Sequence, residues 1–265
     1  MSDYKDNNLV VQSNEFVRHS YNSLKAVEIK VFDLFVSCID TSKPKDTIEI
    51  TKKEFFKALN VEPDWTRFKE ITDGLMCEIW HYKDEKRRTT YHFVESITWV
   101  ENEDKIICRF SNDILPMLVE LKNNFLEYSF ADLRYLTSRY SILLYKYVLS
   151  YIRQYKATTF RIEMEELRKV LNLKNKYPQF RDFNKNVLIK FKEEVNLSGT
   201  LPYLVDYEKI HYGKKVIAIE FKVRPRTTNS EYHFLGVEKP ERLESRRNDL
   251  LKEGKEVEKS VADFY

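Results

Sequence analysis

The chain has 265 residues, of which 42% are hydrophobic and 33% charged, a composition typical of a globular protein rather than a disordered one. Its length suits two domains of ordinary size. The 45 basic and 42 acidic side chains nearly cancel, so any surface that binds an acidic partner must be local. The absence of a run of about 18 apolar residues and of a signal-peptide pattern predicts a cytoplasmic protein without membrane contact.

The first half of the sequence predicts helix, strand, helix, helix and hairpin, in that order. Apolar residues between positions 24 and 39 recur at helical spacing. A short strand, Thr47–Ile50, precedes a capping box, in which Thr51 and Glu54 satisfy free amides at the start of a second helix. A third helix is expected near Pro63, and residues 83–88 are the expected hairpin tip between aromatic strands.

The second half predicts the same order of elements. A connecting segment, residues 112–135, contains enough apolar residues to be partly helical. The elements that follow are a helix (142–152), a strand (159–162), a short helix ending near Asn172, a helix beginning near Pro178, and strands 204–207 and 216–223 flanking a turn at 211–215.

An internal repeat accounts for this shared order. Shifting the sequence by 112 positions places residues 47–61 on residues 159–173 without a gap. The shift pairs Asn60 with Asn172, and both asparagines stand where a short helix should end. We refer to the two halves as the first and second copies.

The repeated order is that of a winged helix, a helix-turn-helix variant with a β wing. We therefore predict an α+β, predominantly helical fold with two tandem winged-helix domains related by internal duplication. The expected domains are residues 8–126 and 127–225. Residues 226–265 are predicted to be a charged, disordered tail.

Positive charge is concentrated in the third helix of the second copy. In a helix-turn-helix protein this helix enters the major groove of DNA while its apolar face packs on the core. Between positions 174 and 192 six residues are basic and one is acidic. Lysines on an amphipathic helix often form only a solvated face, and that alternative stays open. The candidate DNA-binding residues of this copy are Lys174, Lys176, Tyr177, Gln179, Arg181, Lys185, His211, Lys214 and Lys215.

The third helix of the first copy is less basic. Its candidates, Thr66, Arg67 and Lys69, are accompanied by acidic residues at positions 64, 70 and 73. The expected wing tip is the densest basic patch of this half and suits contact with the DNA backbone or minor groove. Its candidate residues are Lys83, Lys86, Arg87 and Arg88.

Patterns typical of catalysis or metal binding do not occur in the sequence. Cys38, Cys77 and Cys108 are widely spaced among apolar residues and are predicted to be buried thiols. The five histidines form no metal-binding pair, and no glycine loop of the kind that binds nucleotide phosphates is present. We expect no enzymatic activity, no cofactor and no metal.

A resemblance to the replication initiators of iteron plasmids, including theta-replicating ones, extends from about residue 8 to residue 223. It is carried by three segments, NNLVVQSNEFVRHSYNSLKAVEIKVFDLFVSCI, SRYSILLYKYVLSYI and YPQFRDFNKNVLIKFKEEVN. The resemblance implies an initiator that binds direct repeats in double-stranded DNA at a plasmid origin and recruits host initiator or helicase proteins. It further implies a monomer–dimer equilibrium in which the dimer represses its own synthesis.

The same resemblance implies different roles for the two copies. The second winged helix would be the main reader of the repeats, with Arg181 and Lys185 in the matching helix. The first would be a dimer interface and an auxiliary DNA contact. Two alternatives stay open: a winged-helix transcriptional regulator without a replication role, and a protein-interaction module that does not bind DNA.

Overall fold

The computed structural model describes residues 2–4, 9–62, 64–83, 86, 88–119, 125–198 and 201–226. The predicted tail therefore lies outside the described residues, apart from its first residue. The described elements of the first half are β1 (Leu9–Ser13), α1 (Asn14–His19), β2 (Ser20–Tyr21), α2 (Ala26–Ser37), β3 (Thr47–Ile50), α3 (Lys52–Leu59), α4 (Trp65–Cys77), β4 (Trp80–Lys83), β5 (Arg88–Tyr91), β6 (Val94–Val100), β7 (Lys105–Phe110) and α5 (Leu115–Val119). Those of the second half are β8 (Phe125–Ser129), a 3₁₀ helix (Phe130–Tyr135), α6 (Arg139–Tyr155), β9 (Thr159–Glu163), α7 (Met164–Val170), α8 (Phe180–Phe183), a π-helical segment (Asn184–Ile189), α9 (Lys190–Leu197), β10 (Tyr203–Tyr212) and β11 (Lys215–Pro225).

Local sequence signals set the ends of the short helices. The predicted capping box is present, because the Glu54 amide donates to Thr51 Oγ1 at 3.1 Å and the Thr51 amide donates to Glu54 Oε2 at 2.8 Å. Asn60 and Asn172 follow α3 and α7 with φ angles of 54° and 48°, the left-handed conformation that ends helices. Asp64 caps the start of helix α4, since its carboxylate accepts a hydrogen bond from the Arg67 amide.

Both copies fold as winged helices with the same sheet order, which confirms the predicted fold class. Strand β7 lies between β3 and β6, as β11 lies between β9 and β10. The predicted first wing was wrong, because β4 and β5 form an extra hairpin that pairs with β2. The wing of the second copy, called the second wing, consists of β10 and β11, and its counterpart in the first copy, the first wing, consists of β6 and β7. The tip of the first wing, residues 101–104, is acidic, with three carboxylates and one asparagine.

The second wing is longer than predicted. The structure replaces the expected turn at residues 211–215 with a two-residue turn at Gly213 and Lys214, in which Gly213 has a φ of 59°. His211 and Tyr212 continue β10 and pair with Val216 and Lys215. These side chains therefore lie on a two-stranded wing rather than in a loop.

A strand pair joins the start of the first copy to the segment that connects the two copies. Strand β8 pairs antiparallel with β1, with Leu9 opposite Ser129. Helix α5 and the 3₁₀ helix agree with a partly helical connection, but residues 125–129 are a strand. The division of the chain at residue 126 stays a prediction, since it falls within β8.

Helices α2 and α6, which precede the first wing-sheet strand of each copy, meet at a buried ion pair. Lys146 Nζ lies 2.9 Å from Asp33 Oδ1, and the side chains are 7% and 0% exposed. Tyr128 OH donates to Asp33 Oδ2 at 2.8 Å, and Gln12 Nε2 donates to Asp33 Oδ1 at 2.8 Å. The Asp33 carboxylate of α2 therefore connects this helix to β1 in the first half and to β8 and α6 in the second half.

A second contact between the copies consists of side chains and backbone carbonyls. Arg139, at the start of α6, donates to the carbonyls of Asn22 at 2.8 Å and Leu24 at 2.7 Å in the first copy, and of Leu171 at 3.2 Å in the second. Asn172 Nδ2 also donates to the Asn22 carbonyl, at 2.7 Å. One arginine thus joins the helix-turn-helix of the second copy to the segment preceding α2.

The cysteine prediction is correct at two positions. Cys38 and Cys108 are buried thiols, and burial raises the pKa of the Cys108 thiol well above its usual value. Cys77, at the end of α4, is exposed, contrary to the prediction. Met76 precedes it but Glu78 follows it, and the last turn of α4 directs this side chain to solvent.

Candidate nucleic-acid interface

The recognition helix of the second copy comprises α8, the π-helical segment and α9, residues 180–197. Its inward face is a stripe of apolar side chains, of which Phe183, Val187, Phe191 and Val195 are fully buried. Phe180, the first residue of that stripe, is only half-buried. Burial of one face leaves the other exposed, and that exposed face carries the predicted Arg181 and Lys185.

The turn before the recognition helix is held by Arg168, a residue that the sequence analysis missed. Its guanidinium donates to the carbonyls of Lys176 at 3.2 Å and Tyr177 at 2.6 Å, and lies 5.3 Å from the ring centroid of Phe183. Lys174 and Tyr177 have positive φ angles of 42° and 51°. Such backbone is unfavourable for these residue types, and the two carbonyl contacts help to stabilise the turn.

The cations near this turn have few acidic neighbours. Lys174, Lys176 and Lys185 are exposed and form no ion pair with any residue that the structure describes. Arg181 Nε lies 3.5 Å from Asp182 Oδ1, but its side chain is 85% exposed, and an ion pair this exposed stabilises little. Gln179 is exposed immediately before α8. These groups are available to an anionic partner.

An open cleft of about 700 Å³ lies between the second wing on one side and α7 with the turn before the recognition helix on the other. Lys209 from β10 forms part of its wall, with Nζ 5.6 Å from the ring centroid of Phe180. Four lining side chains are lysine or arginine and a fifth is histidine, so the cleft is suited to phosphate groups. Its lining residues are Met164, Arg168, Pro178, Phe180, Lys209, His211, Lys214, Lys215 and Val216.

The corresponding face of the first copy is electrostatically different. On α4, Arg67 pairs with Glu70 at 3.3 Å and Lys69 pairs with Asp73 at 3.5 Å, while Thr66 is exposed. The adjacent wing tip is the acidic segment 101–104. The equivalent helix and wing of this copy therefore present little net positive charge.

The predicted basic cluster of the first copy lies on the extra hairpin, at residues 83–88. Lys86 and Arg88 are exposed. Arg87 and the side chain of Lys83 lie outside the described residues. The structure thus separates Lys86 and Arg88 from the first wing and places both on the surface.

The described residues contain neither a membrane-spanning helix nor a metal-binding cluster. None of their helices is both long and apolar enough to cross a bilayer. No group of three or more histidine, cysteine, aspartate or glutamate side chains among them could hold a metal ion.

Fold and surface together define a tandem winged-helix protein whose second copy presents the more basic face. Residues 9–149 match the family described as Initiator Replication protein, WH1, and residues 163–223 match Initiator Rep protein, WH2. These matches cover more than half of the chain. The protein belongs to the family of initiator replication proteins.

Individual relatives are distant in sequence. A replication initiation protein of Escherichia coli is 22% identical over 213 residues, which is 77% of this chain and 64% of that protein. The chain thus spans less than two thirds of the length of this relative. The crystal structure of the Pi initiator protein in complex with iteron DNA covers 84% of this chain and 100% of its own, with a TM-score of 0.66 and 19% identity. This likeness is one of fold.

Proposed function

We propose that the chain is a plasmid replication initiator that binds direct repeats in double-stranded DNA at an origin and recruits host initiator or helicase proteins. The observation that carries the proposal is the exposed cationic surface formed by the second recognition helix and the turn before it, where Lys174, Lys176 and Lys185 pair with no described acidic residue, next to a cleft lined by further cations. Membership of the initiator replication protein family supports the same function. The Pi initiator, which shares the fold, binds iteron DNA in its crystal structure.

In this proposal the second recognition helix lies in the major groove. Arg181 contacts a guanine edge, because a guanidinium can donate two parallel hydrogen bonds to it, and Lys185 contacts a phosphate. The wing follows the backbone, with its lysines and His211 near phosphates. The turn supplies further polar contacts from Lys174, Lys176, Tyr177 and Gln179.

The first copy has an auxiliary role in the same proposal. Weak backbone contacts come from Thr66, Arg67 and Lys69, and from the extra hairpin through Lys83, Lys86, Arg87 and Arg88. The self-paired charges on α4 favour this lesser share. In a repressing dimer this copy is the proposed interface. We assign the chain no catalytic step, metal or cofactor and place it in the cytoplasm with its plasmid.

Footprinting on the DNA that flanks the gene tests the proposal against a transcriptional regulator. An initiator is expected to protect several adjacent direct repeats of about 20 base pairs, roughly two helical turns each. The cloned repeats, supplied with the gene, are expected to support replication of a plasmid that lacks another origin. Protection of a single promoter site, without replication, would favour the regulator.

The wing lysines give a prediction about salt. Lys214→Ala/Lys215→Ala is expected to weaken binding to all duplexes alike and to reduce the slope of log affinity against log salt by roughly 2, because about 0.9 is lost per phosphate contact. Fluorescence anisotropy at several salt concentrations measures the slope.

Lys43→Ala/Lys45→Ala is the matched control. It removes the same charge from two exposed lysines before β3, at the end of the sheet opposite the first wing tip. This variant is expected to keep the wild-type slope. Equal slopes for all three proteins would mean that the second wing does not contact DNA.

A further inference from the structure

The second recognition helix is interrupted by a π-helical segment, Asn184–Ile189, between α8 and α9. Its counterpart in the first copy, α4, runs for 13 residues as a regular α-helix. A π-helical turn contains an extra residue, and such turns are frequent at functional sites. The turn rotates the residues before it relative to those after it, which changes the directions of the outward side chains.

The buried stripe gives the physical reason for this segment. Phe183, Val187, Phe191 and Val195 are spaced by four residues throughout and are all buried. In an α-helix of 3.6 residues per turn each step of four exceeds a full turn by about 40°, so three steps would rotate the stripe by about 120°. The wider turn offsets this rotation and keeps all four side chains in the core. The core thereby determines where the exposed Lys185 points.

Strand β10 of the wing binds the recognition helix through three consecutive residues. Asn196 exchanges two hydrogen bonds of 2.9 Å with the backbone of Val205. Asp206 Oδ1 lies 2.7 Å from Lys192 Nζ. Tyr207 OH donates to Asn184 Oδ1 at 2.8 Å, at the first residue of the π-helical segment.

The Tyr207 hydroxyl is well suited to this contact. Its ring lies 6.4 Å from that of Phe221, and both Tyr207 and Asn184 are half-buried. Burial, with a smaller effect of the nearby Asp206 carboxylate, raises the pKa of Tyr207, so the hydroxyl stays protonated and can donate.

The first copy lacks this connection. The repeat places Thr72 at the position of Asn184, and the Thr72 hydroxyl donates to the Phe68 carbonyl of its own helix at 2.9 Å. Val94, opposite Phe110, takes the place of Tyr207, opposite Phe221. A valine cannot donate, so no side-chain hydrogen bond can form there. The hydrogen bond from the wing to the recognition helix therefore occurs in the second copy, which has the cationic face.

We propose that Tyr207 is a positioning residue for DNA recognition, which acts by holding the π-helical turn through Asn184. Asn184 stands between the buried Phe183 and the exposed Lys185. A change in the turn would therefore redirect the outward side chains without removing any of them. This inference rests on the proposed function for its effect on DNA, but the hydrogen bond and its effect on the turn can be tested without DNA.

Tyr207→Phe is the sharpest variant, because it removes one oxygen atom and keeps the ring. In the full chain without DNA, the amides of residues 184–190 are expected to exchange hydrogen faster than in the wild type, while the melting temperature changes little. Tyr135→Phe, at an exposed tyrosine before α6, is the control and is expected to leave that exchange unchanged. Unchanged exchange in Tyr207→Phe would overturn the proposed hold on the turn.

A second measurement uses a duplex that the wild-type chain selects from a random-sequence library. Tyr207→Phe is expected to reduce the ratio of selected to random affinity roughly fivefold, the change equivalent to about one hydrogen bond, with random affinity retained. Tyr207→Phe/Asn184→Ala is expected to reduce the ratio no further than Asn184→Ala, because the tyrosine acts through the asparagine. Additive losses would mean that Tyr207 contacts DNA itself and would overturn the positioning role. A wild-type chain that selects no sequence would instead contradict the proposed function, and hydrogen exchange would still test the hold on the turn.

Discussion

Lys146→Met is expected to lower the free energy of unfolding by about 3–5 kcal/mol, the usual cost of leaving one member of a buried ion pair without its partner. Methionine nearly matches the length of the lysine stem, so little packing is lost. Asp33 would remain fully buried as a carboxylate with Tyr128 and Gln12 as its donors. Denaturant unfolding followed by circular dichroism measures the loss.

A double variant separates the buried charge from other causes. Asp33→Leu/Lys146→Met removes both charges together and is expected to recover most of the lost stability. Lys69→Met removes a lysine from the exposed pair with Asp73 and is expected to stay close to wild type. A double variant as unstable as Lys146→Met would show that the loss came from packing.

Arg181→Ala is expected to cost about 1–3 kcal/mol of binding on the cognate repeat and to relax the preference at one base position. Folding should be unaffected, because the side chain is 85% exposed and its neighbour Asp182 is 3.5 Å away. Dissociation constants on the cognate duplex and on single-position variants of it measure the change.

Two further variants define the role of this arginine. Arg181→Lys keeps the charge but cannot form two parallel bonds with a guanine, so it is expected to lose base preference while retaining affinity for random DNA. Lys185→Ala is expected to weaken cognate and random binding together. A lower melting temperature with unchanged base preference in Arg181→Ala would assign the arginine to the fold instead.

Short-range patterns in the sequence predict most of the fold. The capping box at Thr51 and Glu54 and the helix-ending asparagines depend on neighbours within a few residues, so their geometry follows from sequence alone. The repeat then extends each element to the other copy. Even the π-helical segment has a sequence signal, since four apolar residues at a constant spacing of four do not fit one face of an α-helix.

Features that depend on distant parts of the chain were not predictable in this way. The pairing of β1 with β8 joins residues 9–13 to residues 125–129, and no local pattern relates them. The extra hairpin has no counterpart among the described residues of the second copy, so the repeat gives no information about it. Its basic tip was therefore mistaken for the first wing.

The candidate site was predicted in part for a similar reason. Exposed cations on the recognition helix follow from its apolar stripe, and Arg181 and Lys185 lie on the expected face. Arg168 and Lys209 were missed, since their importance comes from contacts with a turn and a ring elsewhere in the chain. Lys209 was also missed because the predicted strand ended at residue 207, whereas β10 continues to Tyr212.

The contact made by Arg139 has a consequence for the spacing of bound DNA. Its three carbonyl partners belong to both copies, so the two winged helices are joined by direct hydrogen bonds as well as by the connecting chain. A flexible connection would let each half bind its own stretch of duplex independently. A fixed connection requires the two stretches to face the protein at one set rotation about the DNA axis. In the proposed complex, inserting about five base pairs, half a helical turn, between the two contacted stretches would place the second stretch on the opposite side of the duplex. Arg139, which is half-buried between the copies, would then determine which spacings of the two stretches can be bound as one site.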